Sequence, residues 1–195
     1  MKTVHVILQG KGGVGKSLIS SILCQYFIDY KKANVIAIDT DPVNQTLSQY
    51  KALDVICLDL KEGIIIDSRK IDELTNIVLS EEEGTQIIVD NGASSFIPFA
   101  SWLIENNTIS FWRNNNINVL IHSVVTGGQA LFDCLNGIND LSKNIIEEKR
   151  IVVWLNKYFG EIAYDGKSFN EFKVYEQNAD KIASIIKESL STSDH

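Results

Sequence analysis

Five short, largely apolar and β-branched runs punctuate the chain: 3–9 (TVHVILQ), 34–39 (NVIAID), 86–90 (QIIVD), 117–123 (INVLIHS) and 151–155 (IVVWL). Each is followed by Gly, Asp, Asn or Thr, the pattern of strands buried on both faces. Between them, apolar positions recur at helical spacing over 16–30, 69–79, 96–106, 127–142 and 170–190, the last with Ile182, Ile185, Ile186 and Leu190 on one side. Strands alternating with helices predict an α/β fold, a doubly wound, mostly parallel sheet with helices on both faces. The run 54–60 (DVICLDL) offers a weaker strand, and 61–67 is ambiguous between strand and loop. Ligands of such sheets gather at the carboxyl ends of the strands. That rule singles out residues 10–17, 39–46, 90–95, 126–129 and 156–157.

Composition narrows the picture. The 195 residues suit one domain, expected over 1–190, with 191–195 (STSDH) as a disordered tail. Hydrophobic residues make up 45% and charged residues 22%, so a substantial core is available. The net charge of −7 argues against a generally basic nucleic-acid-binding body, although a local basic patch stays open. Cys24, Cys57 and Cys134 are too scattered for a disulfide framework or a zinc knuckle, and a reduced, cytoplasmic setting is expected. No run approaches a membrane-spanning length, and 4–8 is too short for a signal peptide. His5 and His122 stand within apolar runs and read as packing residues; Trp102, Trp112 and Trp154 read as core or interface residues. The segment 111–116 (FWRNNN) reads as an exposed partner surface.

The chemistry concentrates in residues 10–17, GKGGVGKS, which match G-x-x-x-x-G-K-[ST] between a strand and an amphipathic helix. Such a loop curls backbone N–H groups around phosphates where no Cβ interferes, and the following helix adds its positive end. Here the cradle would comprise Gly10, Gly12, Gly13, Val14, Gly15, Lys16, Ser17 and Leu18. Lys16 would neutralise β- and γ-phosphate oxygens, and Ser17 would offer its hydroxyl to Mg²⁺. A second lysine, Lys11, follows the first glycine. Its ammonium group could face its own phosphates, solvent or a partner's nucleotide; the residues alone favour solvent.

The pattern KGGVGKS at 11–17, with DTDP at 39–42 and Asp90, resembles the deviant phosphate loop and companion motifs of the ParA/MinD family of dimerising ATPases. The wider series LQGKGGVGKS, IDTDPVNQT, IVDNGASSF, HSVVTGGQALFD and VVWLNKYFG, spread over residues 3 to about 180, is similar to TraL-type proteins of conjugative plasmids, with StbB-type plasmid stability proteins as near relatives. The resemblance implies a P-loop ATPase using ATP and Mg²⁺ and forming an ATP-dependent homodimer. It also implies a slow turnover stimulated by a conjugation, relaxosome or plasmid-maintenance protein. Lys11 would be the signature lysine reaching the partner's ATP, and Asp41 would orient or deprotonate the attacking water. Asp39 would assist through Mg²⁺-bound water, Asp90 would hold Mg²⁺ through water, Gly92 would offer its N–H to the γ-phosphate, and Asn156 would meet the adenine. Relatives of this type continue past residue 195.

Two further readings stay open: an ATP-binding adaptor with little hydrolysis, kept alive by the departure at Asn91-Gly92, and a metabolic enzyme of the dethiobiotin-synthetase type, disfavoured by Lys11. Gln129 would contact nucleotide or cap a helix. Direct DNA binding is disfavoured because residues 161–195 hold four Lys against seven Asp and Glu. Membrane binding is disfavoured because 178–190 lacks a basic face.

Overall fold

The computed structural model describes residues 1–41, 44–63, 65–145, 151–164 and 167–168. The predicted helix at 170–190 and the tail at 191–195 lie outside the described residues. In chain order the elements are β1 (Lys2–Ile7), α1 (Lys16–Gln25), β2 (Val35–Asp39), β3 (Val55–Cys57), β4 (Lys61–Glu62), β5 (Ile65–Ile66), α2 (Ser68–Ser80), β6 (Gln86–Asp90), α3 (Phe96–Glu105), α4 (Thr108–Asn114), β7 (Ile117–Thr126), α5 (Leu131–Ile145), β8 (Ile151–Asn156), β9 (Ala163–Tyr164) and β10 (Lys167–Ser168). Six strands form one parallel sheet in the order β3-β2-β6-β1-β7-β8. The central strand β1 is Val/Ile-rich and buried along its whole length, as a strand covered on both faces must be.

Register is what builds the site. Asp39 of β2 pairs with Asp90 of β6, and Asp90 pairs with Ile7 of β1, so both carboxylates and the residues that follow Ile7 emerge at one edge. Asn156 closes β8 on the same edge, opposite Thr126 of β7.

Several elements depart from the hydrophobic pattern. The first helix stops at Gln25 and passes into a single π-turn over Tyr26–Tyr30. That wider turn accompanies a division of labour among the aromatics: Phe27 packs on His5 at 5.1 Å, while Tyr26 and Tyr30 stack outside at 5.4 Å. Of the expected exposed segment 111–116, Phe111 and residues 114–116 are exposed, but its start belongs to α4 and Trp112 is fully buried. The polar run Arg113–Asn116 hid a helix whose inner face is Thr108, Ile109 and Trp112. The ambiguous stretch 61–67 is a small hairpin, β4 with β5. Segment 54–60 supplies only the edge strand β3.

His5 and His122 are core residues, and their partners order one proton arrangement. The indole N–H of Trp154 can only donate, so His122 Nδ1 accepts it at 2.9 Å. His122 Nε2 then donates to His5 Nδ1 at 2.9 Å, and His5 Nε2 donates to Gln86 Oε1 at 3.1 Å. Both imidazoles are therefore neutral, consistent with burial, which lowers their pKa values. The chain of hydrogen bonds staples β8, β7, β1 and β6 across the sheet.

Candidate nucleotide site

The loop between β1 and α1 adopts the shape its glycines permit. Gly13 and Gly15 have φ of 74° and 107°, where a side chain would be strained. Gly10 is required for a different reason: a Cβ there would sit 2.8 Å from the Phe96 ring. Residues 15–18 turn directly into α1, so the helix's unpaired N–H groups face a cleft of about 510 Å³. Gly12, Gly13, Gly15, Lys16, Ser17, Leu18, Asp41, Asp90, Asn91 and Ala93 line it, together with Asn44, Thr46 and Tyr50.

Lys16 is 8% exposed, and its Nζ donates to the Lys11 carbonyl at 3.0 Å. Burial lowers its pKa, with Asp90 and Asp41 pulling the other way. A buried ammonium ion whose hydrogen bond goes to a neutral loop carbonyl is a strong anion receptor.

Asp90 lies at the cleft floor, 3% exposed, and accepts from Ser20 Oγ at 2.9 Å and from the Ser17 side chain. Burial pushes its carboxyl up to about 6, against those two hydroxyls and Lys16. A desolvated carboxylate joined to the loop serine is the donor set a hydrated Mg²⁺ takes. Among the described residues no cluster of three or more His, Cys, Asp or Glu would hold a metal by itself; phosphate oxygens would complete such a site. Because Asp90 titrates at about 6 in the fold and near 3.8 when unfolded, its contribution to stability is full below about 3.8 and is lost as pH rises through about 6. Asp90→Asn is therefore expected to raise the melting temperature of the nucleotide-free protein by about 3 °C or more at neutral pH, with no gain below about pH 4. Thermal unfolding across that pH range checks this, and equal melting at every pH would contradict it.

Asp39 does not reach the cleft freely. It is 2% exposed; Oδ1 accepts from Asp41 N at 3.0 Å, and Oδ2 accepts from Leu47 N at 3.1 Å and Ser48 N at 3.4 Å. Burial raises its pKa, and those N–H groups oppose the rise. Its evident work is to shape the segment that carries Asp41. The Asp41 carboxylate packs against Gly92, where a Cβ would lie 2.7 Å from Asp41 Cγ, so this close approach of Asp41 requires glycine at 92. Thr40 reinforces the contact through its N–H to Asp90 O at 2.9 Å, its hydroxyl lying 3.1 Å from Asn91 Oδ1.

Asn156 braces the loop: Nδ2 donates to Val14 O at 2.9 Å and Oδ1 accepts from Tyr158 N at 3.1 Å. One donor hydrogen and one acceptor lone pair remain for a base edge. Gln129 is exposed in a short 3₁₀ turn ahead of α5, apart from the cleft lining.

Lys11 is absent from the cleft lining. Its Nζ pairs with Asp133 Oδ2 of α5 at 2.7 Å, with side chains 41% and 55% exposed, and this hydrogen bond raises its pKa. Sequence reasoning missed Asp133 and also Gln9, a fully buried carboxamide behind Lys11. The available signals were a glutamine ending an apolar strand and an aspartate in the first turn of a helix, neither of which names its partner.

Residues 5–192 match the family model CobQ/CobB/MinD/ParA nucleotide binding domain. Two curated relatives, both Protein TraL of Escherichia coli, are 44% and 42% identical over 186 residues, covering 95% of this chain and 76% of theirs. Sheet order, loop and matched span agree, and the chain belongs to the ParA/MinD family of nucleotide-binding P-loop proteins as a TraL-type member.

Proposed function

We propose that the chain is an ATP-binding and ATP-hydrolysing switch that dimerises on ATP and serves DNA transfer or stable maintenance of a conjugative plasmid. The observation that carries this reading is the position of Lys11: an ammonium ion in the phosphate loop, half exposed and held by Asp133, while Lys16 serves the loop's own cleft. A cation presented outward beside a nucleotide suits a partner's triphosphate better than its own. Joining two such edges would bring like-charged nucleotides together and needs such neutralisation.

In this reading the loop N–H groups and Lys16 bind the β- and γ-phosphates, and Asn156 fixes the base. Ser17 and Asp90 would hold Mg²⁺, which supplies charge neutralisation at the phosphate oxygens. Asp41, kept over the cleft by Asp39 and Gly92, takes a proton from water as its oxygen bonds to the γ-phosphorus; the bond to the β-phosphate oxygen breaks, leaving ADP and phosphate. Gly92 offers its N–H beside Asp41, so loss of phosphate releases both segments at once, a two-state element of the kind switches use. A partner protein of the transfer or maintenance machinery would read the difference.

An ATP-held adaptor with little hydrolysis is a second reading. Asn91 favours it, because this cleft-lining residue has its carboxamide committed to Gly92 O at 3.0 Å and to Thr40.

The direct test is equilibrium binding of ATP and its turnover with Mg²⁺. Lys16→Ala is expected to weaken binding about 100-fold or more and to end turnover, since a buried charge-assisted contact to a polyanion is lost. Unchanged binding in that variant would place the nucleotide elsewhere.

A further inference from the structure

We propose that Gln9 is a positioning residue through which α5 sets the placement of Lys11, an inference that rests on the reading of Lys11 given above. Gln9 is 0% exposed and its carboxamide is engaged on both sides. Oε1 accepts from the Lys11 backbone N–H at 3.3 Å. Nε2 donates to Val124 O of β7 at 3.0 Å and to Cys134 O of α5 at 3.1 Å, with Ser123 Oγ at 3.3 Å. The amide thus spans the base of the phosphate loop, the end of one strand and the first turn of a helix.

Two more observations turn this from a satisfied core amide into a coupling. Asp133, the residue before Cys134, holds the Lys11 ammonium, so Lys11 is tied to one turn of α5 twice: through its backbone by Gln9 and through its side chain by Asp133. One turn further along α5, Gly137 opens the space Gln9 occupies; a Cβ there would lie 2.5 Å from Gln9 Oε1. Glycine inside a helix costs about 1 kcal/mol relative to alanine, and here it makes room for the amide. A movement of α5 would therefore carry Lys11 with it, and a ligand or partner acting on α5 would act on the lysine.

The experiment uses the full chain in wild-type form and as Gln9→Met, Gly137→Ala, Asp133→Asn and Lys11→Ala variants. Gln9→Met keeps the side chain's length without its hydrogen bonds, and Gly137→Ala, which favours the helix, displaces the amide by a separate route should the first variant not fold. In the absence of nucleotide, lysines are acylated with a water-soluble active ester and the rate at each is read by mass spectrometry. Lys11 is expected to react at least threefold faster in Gln9→Met, Gly137→Ala and Asp133→Asn, with Lys31 and Lys51 reacting as in the wild type. With ATP and Mg²⁺, Gln9→Met combined with Lys11→Ala is expected to behave as Lys11→Ala alone. An unchanged Lys11 rate in a folded Gln9→Met or Gly137→Ala protein, or losses that add in the double variant, would overturn the inference. If Lys11→Ala itself leaves ATP-dependent mass and turnover unchanged, the reading beneath the inference falls instead.

Discussion

Replacing Lys11 with alanine is expected to lower ATP turnover about 1,000-fold or more, with ATP affinity of the single chain held within about threefold because the residue is absent from the lining of its own cleft. The two lysines of the loop separate by burial and partner. Lys16 is buried and points inward to a loop carbonyl, so its loss removes binding. Lys11 is half exposed and rests on Asp133 across a gap between elements. An exposed ion pair of this kind contributes little to stability, so folding should not suffer and the kinetic effect can be read cleanly. Single-turnover kinetics with a separate binding measurement distinguish the two losses. A fall in affinity that matches the fall in rate would place Lys11 on its own nucleotide.

Asp41→Ala has the second largest expected effect: turnover falls about 100- to 10,000-fold, the range for removing a positioned base, while ATP binding is kept or tightened. The grounds are geometric. Asp41 lines the cleft, Asp39 fixes its backbone through Asp41 N, and Gly92 leaves the space its carboxylate fills. Removing the carboxylate also removes a negative charge from beside the phosphates, which favours the ATP-bound form. Asp41→Asn, similar in shape and unable to take the proton, should share the loss of rate. Full activity in Asp41→Asn would show that orientation of water, and not proton transfer, is its contribution.

Much of this arrangement was legible in the sequence because its parts are local. Apolar runs ending in polar residues predicted β1, β2, β6, β7 and β8, and the glycine spacing at 10–17 predicted the phosphate loop between β1 and α1. Non-local contacts were not legible. Asp39 projects from the expected strand end, yet its oxygens are committed to N–H groups at 41, 47 and 48, a turn whose closure no periodicity reveals. The Lys11–Asp133 pair spans 122 positions, and the Gln9 bond to Cys134 spans 125, so each depends on β1 lying beside β7. Helix α4 was missed because four polar residues follow Trp112, although the burial of Trp112 itself was expected.

The central claim, that ATP joins two copies through Lys11, is tested most directly by solution mass from light scattering with Mg²⁺ and ATP, and again with ADP. The account predicts that ATP doubles the mass of the wild-type protein, that ADP leaves it single, that Asp41→Ala stays doubled with ATP, and that Lys11→Ala stays single in both. A mass indifferent to nucleotide in every variant would contradict it.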